Sequence, residues 1–275
     1  MPPPRRRRAL VAGVSLLALG AVCAGAADSV GILVLKEHGV GNQSLAQPYL
    51  DRMVALTARQ NGWAAANGKY FTSRSAAEAF IKSTQPHYGI LSLPAFLAMR
   101  DPYKLEVIGR VAVSLAGGRR YFLISKTGKS LADCKGKKLA TDHGDDPRFI
   151  DRIVFAGQAT LADFTLMPMQ RPLQTIKAVL NDTATCALID DAQRQQFDHL
   201  SDKNGARTVW ESAELPPMPV VVFPSAPKEE RARFEKGLDA VCEDAGKDAC
   251  AEVGIDSLTS TSPTDYAAVV AAYGK

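Results

Sequence analysis

Long hydrophobic runs are almost missing from this sequence of 275 residues. The run ALVAGVSLLALGAV follows four arginines at positions 5–8, but it is shorter than the roughly 20 residues that a membrane-spanning helix needs. It ends in the small residues AGAA, which is the pattern of a cleaved export signal. We therefore predict a signal peptide at residues 1–27 and an exported, periplasmic mature protein. Val22 is bulkier than the residue that usually precedes a lipidated cysteine, so we expect no lipid anchor at Cys23.

The mature chain also lacks an excess of either charge. The full sequence has 33 basic and 29 acidic residues, and the predicted signal contains four of the basic residues and none of the acidic ones, which leaves 29 of each. The basic balance of the full sequence is therefore a property of the signal. It gives no support for binding to nucleic acid or to a membrane surface.

Signatures of common enzymes are absent as well. The sequence has no Walker loop, no dinucleotide fingerprint and no Gly-x-Ser-x-Gly motif. Asp142, His143, Asp145 and Asp190 are of the types that bind metals, but their spacing matches no known metal site. We therefore predict a protein that is not an enzyme and that has no metal and no cofactor.

The four cysteines of the mature chain form no CxxC motif, and no histidine lies near them in sequence. This pattern argues against a zinc site or a catalytic thiol, whereas an oxidising compartment allows an even number of cysteines to pair. Cys242 and Cys250 flank the short stretch EDAGKDA, so we predict a local bond between them. Cys134 and Cys186 would then pair, because each lies just before a predicted parallel strand.

Apolar strands alternate with amphipathic helices along the mature chain. This pattern predicts an α/β fold in which mostly parallel sheets are covered by helices on both faces. Strands are predicted at residues 30–35, 69–72, 88–93, 105–114, 120–125, 137–141, 164–167, 186–190 and 219–223, and helices at 75–83, 172–180, 228–242 and 266–273.

Four passages carry a resemblance to a known family: GILSLPAF, YFLISKTGKSLADCKGKKLAT, TIKAVLNDTATCALID and PPMPVVVFPSAP. With the order of elements, they resemble the type II solute-binding proteins of ABC transporters, in particular the binders of phosphate, phosphite and phosphonate. The second passage is similar to the family's S-L-x-D-L-K-G-K-K-V-A segment. The resemblance extends over nearly the whole mature chain.

This resemblance implies a monomer of two lobes that close over a small ligand and deliver it to an inner-membrane transporter. We expect the first lobe at residues 28–116 plus 244–275 and the second at 117–243. A periplasmic sensor that presents its ligand to a membrane receptor would have the same sequence features. In open α/β sheets, ligands bind beyond the carboxyl ends of the strands. The candidate ligand residues are therefore Gln43, Ser44, Tyr70, Thr72, Ser73, Ser92, Pro94 and Phe96 in the first lobe, and Asp142, His143, Asp145, Arg148, Met169, Arg171, Asp190 and Asp191 in the second.

Some of these residues also have purely structural interpretations. Ser44, Ser73 and Ser75 are suited to cap helices, as are Asp190 and Asp191. Tyr70, Phe96 and Met169 are equally typical of a core.

The loop DHGDDPRF departs most clearly from the family. Phosphonate binders have a Ser-Thr-Ser-Gly run at the corresponding helix start, whereas Asp146 and Pro147 form an N-cap and N1 pair here. A phosphate dianion beside Asp145 and Asp146 would meet repulsion of roughly 1–4 kcal/mol per close pair. Arg148 and Arg171 would offset part of it. The ligand is therefore left open between an oxyanion and an apolar, lipid-like molecule such as a sterol.

Overall fold

Strands and helices alternate through most of the chain, which confirms the predicted α/β class. The computed structural model describes residues 29–38, 43–113 and 117–275. The predicted signal peptide and Cys23 lie outside these ranges. The strands are β1 Val30–Leu35, β2 Ala66–Phe71, β3 Tyr88–Leu91, β4 Glu106–Val113, β5 Tyr121–Ser125, β6 Lys138–Thr141, β7 Thr165–Pro168, β8 Cys186–Asp190, β9 Arg207–Glu211, β10 Met218–Val222 and β11 Ile255–Ser260. The helices are α1 Gln43–Asn61, α2 Arg74–Thr84, α3 Leu93–Tyr103, α4 Leu131–Cys134, α5 Pro147–Phe149, α6 Pro172–Leu180, α7 Asp191–Asp198, α8 Lys228–Gly237, α9 Gly246–Glu252 and α10 Ala267–Gly274.

The first sheet has six strands in the order β11-β4-β10-β3-β1-β2. β1 pairs in parallel with β2 and β3, whereas β10 runs antiparallel between β3 and β4. Helices cover both faces: Leu50 and Met53 of α1 pack on one face, and Ile81 of α2 packs on the other. This double cover explains why β1 and β3 are short, almost continuous apolar runs.

The second sheet has five strands in the order β7-β6-β8-β5-β9. β6 is parallel to β7 and β8, and β5 is antiparallel to β8 and β9. Ile176 of α6 and Phe197 of α7 pack on one face, and Phe149 of α5 packs on the other. Among the helices that the structure describes, none is both long and apolar enough to cross a membrane.

Two segments connect the sheets, and the second of them corrects a predicted boundary. The chain passes from β4 to β5, and it returns from β9 to β10 through residues 212–217. The return therefore lies well before residue 244, because β10 already belongs to the first sheet. The sequence did not indicate this, since all five residues of Met218–Val222 are buried and such a strand fits the middle of either sheet.

Both predicted disulfide bonds are confirmed. Cys134 at the end of α4 is bonded to Cys186 at the start of β8, with the Cα atoms 6.0 Å apart. Cys242 is bonded to Cys250 of α9, with a Cα separation of 5.6 Å. One bond therefore lies within the second lobe, and the other ties α9 to the segment that precedes it.

The missed strands lie at the edges of the sheets. β9 and β11 are not predicted, because both are edge strands that contain exposed or partly exposed residues with charged and hydroxyl side chains. The helix predicted at 228–242 ends earlier, at Gly237, and is followed by a short 3-10 turn. The N-cap of α2 is Ser73 rather than Ser75, and it caps without a side-chain hydrogen bond.

Candidate functional site

A pocket of about 200 Å³ lies between the two sheets. The first lobe contributes the residues that follow β1 and β3, and the second contributes the start of β5 and the ends of β6 and β8. This is where the carboxyl ends of parallel strands in each sheet face the other lobe. The residues that line it include Lys36, Ser92, Pro94, Gly118, Tyr121, His143 and Asp190.

Lys36 supplies a partly buried positive charge to this pocket. It directly follows β1, and its stem passes close to Gly117, where an added Cβ would lie 3.6 Å from Lys36 Cε and 3.8 Å from Nζ. Burial lowers the pKa of Lys36, and the charges of Asp190 and Asp191 act in the opposite direction. Among the residues that the structure describes, no carboxylate forms a direct ion pair with it.

Arg119, another cation in the wall of the pocket, is already engaged. The guanidinium of Arg119 forms an ion pair with Glu214. Lys36 is therefore the charge that is best placed to meet an acidic group in the pocket.

Tyr121 is 2% exposed and lines the pocket. Burial, with smaller contributions from Asp190 and Asp191, raises its pKa well above the ordinary value. The phenol therefore keeps its proton. An added Cβ on Gly118 would lie 3.5 Å from the hydroxyl, and no hydrogen-bond partner for this oxygen is found among the described residues. Tyr121 thus offers a hydrogen-bond donor to the pocket.

The amino end of α3 also faces the pocket. Ser92 is the N-cap residue, but its hydroxyl does not cap the helix and instead donates a hydrogen bond of 3.3 Å to Glu37 Oε2. Ser92, Leu93 and Pro94 all line the pocket. The partial positive charge at the start of an 11-residue helix therefore points into the same space as Lys36 and Tyr121.

Two acidic side chains near the pocket accept hydrogen bonds from the backbone. Asp190 caps α7 by accepting from Gln193 N at 2.8 Å, and Asp191 accepts from Gly118 N at 2.8 Å. Burial and the neighbouring Asp190 raise the pKa of Asp191. These carboxylates are therefore partly compensated by the backbone, although they remain close to Lys36.

Asp142 and His143 belong to a polar network behind the pocket. His143 Nε2 lies 3.0 Å from Gln193 Oε1, and Gln193 Nε2 donates to Asp142 Oδ1 at 2.8 Å. Thr175 donates to the same Asp142 oxygen at 2.9 Å. One oxygen of Asp142, Oδ1, thus accepts two hydrogen bonds from protein groups. The ring of His143 lines the pocket and packs edge-on against Tyr121, with their centroids 5.2 Å apart.

The remaining acidic residues of the DHGDDPRF loop lie outside the pocket and bind cations of the first lobe. Asp145 lies 3.2 Å from the Nε2 atom of His38. Asp146 caps α5 by accepting from Phe149 N at 3.0 Å, as predicted, and also accepts from Arg74 Nη1 at 3.2 Å. The repulsion that these two carboxylates would exert on an anion is therefore largely cancelled by His38 and Arg74.

The sequence matches the family model described as "ABC transporter, phosphonate, periplasmic substrate-binding protein" over residues 70–266. The chain belongs to this phosphonate-binding family. It is accordingly a ligand-binding component of a transport system, and the family is a periplasmic one. A comparison with curated proteins gives no significant match.

Solved structures share the fold of this phosphonate-binding family member at low sequence identity. A binding protein component of an ABC phosphonate transporter from Pseudomonas aeruginosa has a TM-score of 0.63 and 11% identity, covering 88% of this chain and 84% of that one. PhnD1 from Prochlorococcus marinus in complex with methylphosphonate has a TM-score of 0.61 and 10% identity, and the match covers 88% of this chain and 96% of that one. A protein from Xanthomonas citri bound to ATP has a TM-score of 0.70 and 12% identity, and the match covers 90% of this chain and 98% of that one.

The predicted site residues of this family member differ in their position relative to the cleft pocket. Ser92, Pro94, His143 and Asp190 line the cleft pocket, whereas Asp142 and Asp191 lie directly behind it. The side chain of Gln43 lies outside the described part of the structure, and Ser44 is in the first turn of α1. The others lie elsewhere. In the first lobe, Tyr70 lines a neighbouring groove, Thr72 and Ser73 lie between β2 and α2, and Phe96 is in the core with 1% exposed. In the second lobe, Asp145 and Arg148 lie beside α10, Met169 packs against the core, and Arg171 is exposed before α6.

Lys36 and Tyr121 were missed by the sequence analysis for different reasons. Lys36 directly follows the apolar strand VGILVL, so the rule of strand carboxyl ends was enough to find it. Tyr121 is the first residue of β5, and it reaches the cleft because β5 runs antiparallel to β8, with Tyr121 opposite Asp190. No pattern in the sequence indicates that direction.

Proposed function

We propose that this protein binds the acidic group of a phosphonate-type anion in the cleft pocket, at Lys36, Tyr121 and the amino end of α3. The observation that carries this proposal is the partly buried ammonium of Lys36, which has no direct ion pair among the described residues. A buried charge is stabilised when an opposite charge reaches it, so an anion binds favourably here.

The other donors of the pocket fit the same ligand. A tetrahedral oxyanion has several oxygens, and it accepts hydrogen bonds from hydroxyl groups and from the start of a helix. The Tyr121 hydroxyl and α3 supply both kinds of donor in a pocket of about 200 Å³. This volume suits a compact acidic group rather than a large ring system. Methylphosphonate, which is bound by PhnD1 from Prochlorococcus marinus, is an anion of this kind.

The role in transport follows from the family, and the finer features are part of the same proposal. The protein captures its ligand in the periplasm as a monomer without a lipid anchor, and passes it unchanged to an ABC transporter in the inner membrane. It has no catalytic activity. The engagement of Asp142 and Asp190 with Gln193 supports this view, because each carboxylate already has a structural role as the acceptor of a hydrogen bond from Gln193.

Calorimetric titration with methylphosphonate, phosphate and sulfate tests the proposal. The Lys36→Met variant keeps the apolar stem and removes the charge, and we expect it to weaken anion binding at least about tenfold, since a hydrogen bond to a charged group contributes about 1.5–3 kcal/mol. The matched control is Lys129→Met, which alters an exposed lysine of the second lobe. Absence of binding to all three anions, or equal affinities in the two variants, would refute the proposal.

A further inference from the structure

A second cavity of about 390 Å³ adjoins the cleft pocket, and the two share Lys36 and Met218 in their walls. This groove lies between α1 and the carboxyl ends of the first sheet. Its wall is mostly apolar and includes Val34, Leu45, Tyr49, Met53, Val111 and Ile255. A polar pocket that holds a cation therefore continues directly into apolar space.

The face of α1 that borders the groove is partly open to solvent. Leu45, Tyr49 and Met53 are spaced four residues apart, so they form one stripe along the helix. Met53 is buried against the sheet, but Leu45 is 68% exposed and Tyr49 is 40% exposed. Apolar side chains at the rim of an apolar groove are typical of a surface that covers a bound apolar group.

Lys36 connects the two cavities along its own side chain. Val34 and Lys36 are two residues apart at the end of β1, so their side chains leave the same face of the sheet, on which the groove lies. Lys36 lines both cavities, and its Cε and Nζ atoms lie beside Gly117, which lines the cleft pocket. An acidic group bound to the ammonium therefore lies at the entrance to the groove.

We infer that the ligand is an amphiphilic anion, in which an acidic head binds at Lys36 and an attached alkyl chain lies in the groove between α1 and the first sheet. The inference rests on the proposed function, because it places the head in the anion pocket. It goes further by assigning a second subsite and by naming the class of ligand, alkylphosphonates with a chain of several carbons.

A series of methyl-, butyl- and hexylphosphonate separates the two subsites, because the head is the same in all three. Each buried methylene tightens binding about fourfold, so butylphosphonate is expected to bind at least about tenfold more tightly than methylphosphonate. The chain-length dependence of the affinity is measured by calorimetry on the full mature chain.

Two variants locate the chain. Ala46→Phe puts a ring into the groove and is expected to abolish the chain-length dependence, whereas Ala55→Phe makes the same change on an exposed position of α1 outside the groove and is expected to keep it. Leu45→Glu, at the exposed rim, is a second variant in case Ala46→Phe does not fold; its charge is expected to reduce the dependence. Thermal unfolding shows whether each variant is folded.

The possible failures are distinguishable. Binding of methylphosphonate with no gain in affinity for the longer chains would overturn this inference and leave the proposed function intact. A chain-length dependence that persists in both Ala46→Phe and Leu45→Glu would also overturn it, because the chain would then lie elsewhere. If none of the three phosphonates binds, the inference fails, and if phosphate and sulfate do not bind either, the proposed function fails with it.

Discussion

At the scale of single residues, the acidic neighbours of Lys36 have two opposite effects on the binding of an anion. Asp190 and Asp191 favour its charged form, but they also face any anion that approaches it. Asp190 is the cap of α7 and forms a reciprocal capping box with Gln193. Asp191 has a simpler structural role than Asp190, since its contact with the pocket is the hydrogen bond that it accepts from Gly118 N. Asp191 is therefore the acidic residue whose charge can be removed with least disturbance.

We predict that Asp191→Asn tightens the binding of methylphosphonate. Asparagine keeps an oxygen that can accept from Gly118 N, while the repulsion between the anion and the carboxylate disappears. That repulsion amounts to about 1 kcal/mol or more for charges a few ångströms apart near a protein surface, so we expect an increase in affinity of at least about fivefold. Calorimetry measures it. The control is Asp198→Asn at the far end of the same helix, and an unchanged or weaker affinity for Asp191→Asn would contradict the electrostatic argument.

Only part of the candidate site was accessible from the sequence, and the residues show why. Ser92, Pro94, His143 and Asp190 follow strands that the apolar pattern located, so the rule of strand ends found them. Phe96 satisfies the same rule but points into the core, because residues along the first turn of a helix face different directions. The role of Arg74 is not visible in the sequence, since it depends on Glu37 and Asp146, which are 37 and 72 residues away.

At the scale of elements, the segment after β1 and the loop before α5 form an ionic contact between the lobes. His38 lies 3.2 Å from Asp145, and its ring packs edge-on against His143 with centroids 4.7 Å apart. Burial lowers the pKa of His38, but the hydrogen bond and charge of Asp145, followed by the charges of Asp142 and Glu37, raise it more. Burial tends to raise the pKa of Asp145, and the hydrogen bond to His38 outweighs this and lowers it. The pair is therefore stable as an imidazolium and a carboxylate.

We predict that this contact makes the thermal stability depend on pH. The pKa of His38 is raised in the folded state. Its contribution to stability is therefore fully present below the unfolded pKa of about 6.5 and is lost as the pH rises through the higher folded pKa. The pKa of Asp145 is lowered in the folded state. Its contribution to stability is therefore present above the unfolded pKa and is lost as the pH falls through the folded pKa. Asp145→Asn should remove a stabilisation of about 0.5–1 kcal/mol at pH 6, since the Asp145 side chain is exposed. It should remove less at pH 8.5.

The measurement is the unfolding midpoint of the wild type and of Asp145→Asn at both values of pH. Asp244→Asn, in the turn after Cys242, is the control for the loss of a single acidic charge outside the contact. An equal difference between wild type and Asp145→Asn at pH 6 and pH 8.5 would show that His38 does not titrate against Asp145.

At the scale of elements, a strand is easier to predict from the sequence when it is buried. Central strands such as β1 and β8 are short apolar runs, and the sequence located both with correct limits. β9 and β11 are edge strands that are partly exposed, so their polar side chains hide them among loops. The assignment of β10 to a lobe depends on its pairing with β3 and β4, which are non-local contacts that no periodicity in the sequence reports.

At the scale of the whole molecule, the two lobes share one hydrophobic cluster. Leu33 and Leu91 of the first sheet and Tyr121 and Leu123 of the second belong to the same buried group. The C-terminal helix adds to this contact, because Arg152 donates a hydrogen bond of 2.9 Å to the Tyr273 carbonyl. The structure therefore describes lobes that are in contact, and the opening of a two-lobed binding protein requires this contact to separate by hinge bending.

Arg74 provides a charged hydrogen bond across this contact. Its guanidinium donates two hydrogen bonds to Glu37, at 2.7 and 2.9 Å, and one to Asp146 in the second lobe. The side chain of Glu37 is only 4% exposed, and that of Arg74 is 24% exposed. The loss of one partner from a buried ion pair leaves the other charge without compensation, and this costs more than the pair itself contributes.

We predict that Arg74→Met lowers the free energy of unfolding by about 2–4 kcal/mol and separates the lobes, because Glu37 and Asp146 then repel each other across the cleft. The first effect is measured by denaturant unfolding and the second as a larger radius of gyration in small-angle X-ray scattering. The double variant Arg74→Met with Glu37→Gln removes the uncompensated charge, so it should recover part of both losses. Arg171→Met changes an exposed arginine and is the control. If Arg74→Met matches that control in stability and in radius of gyration, Arg74 does not hold the lobes together.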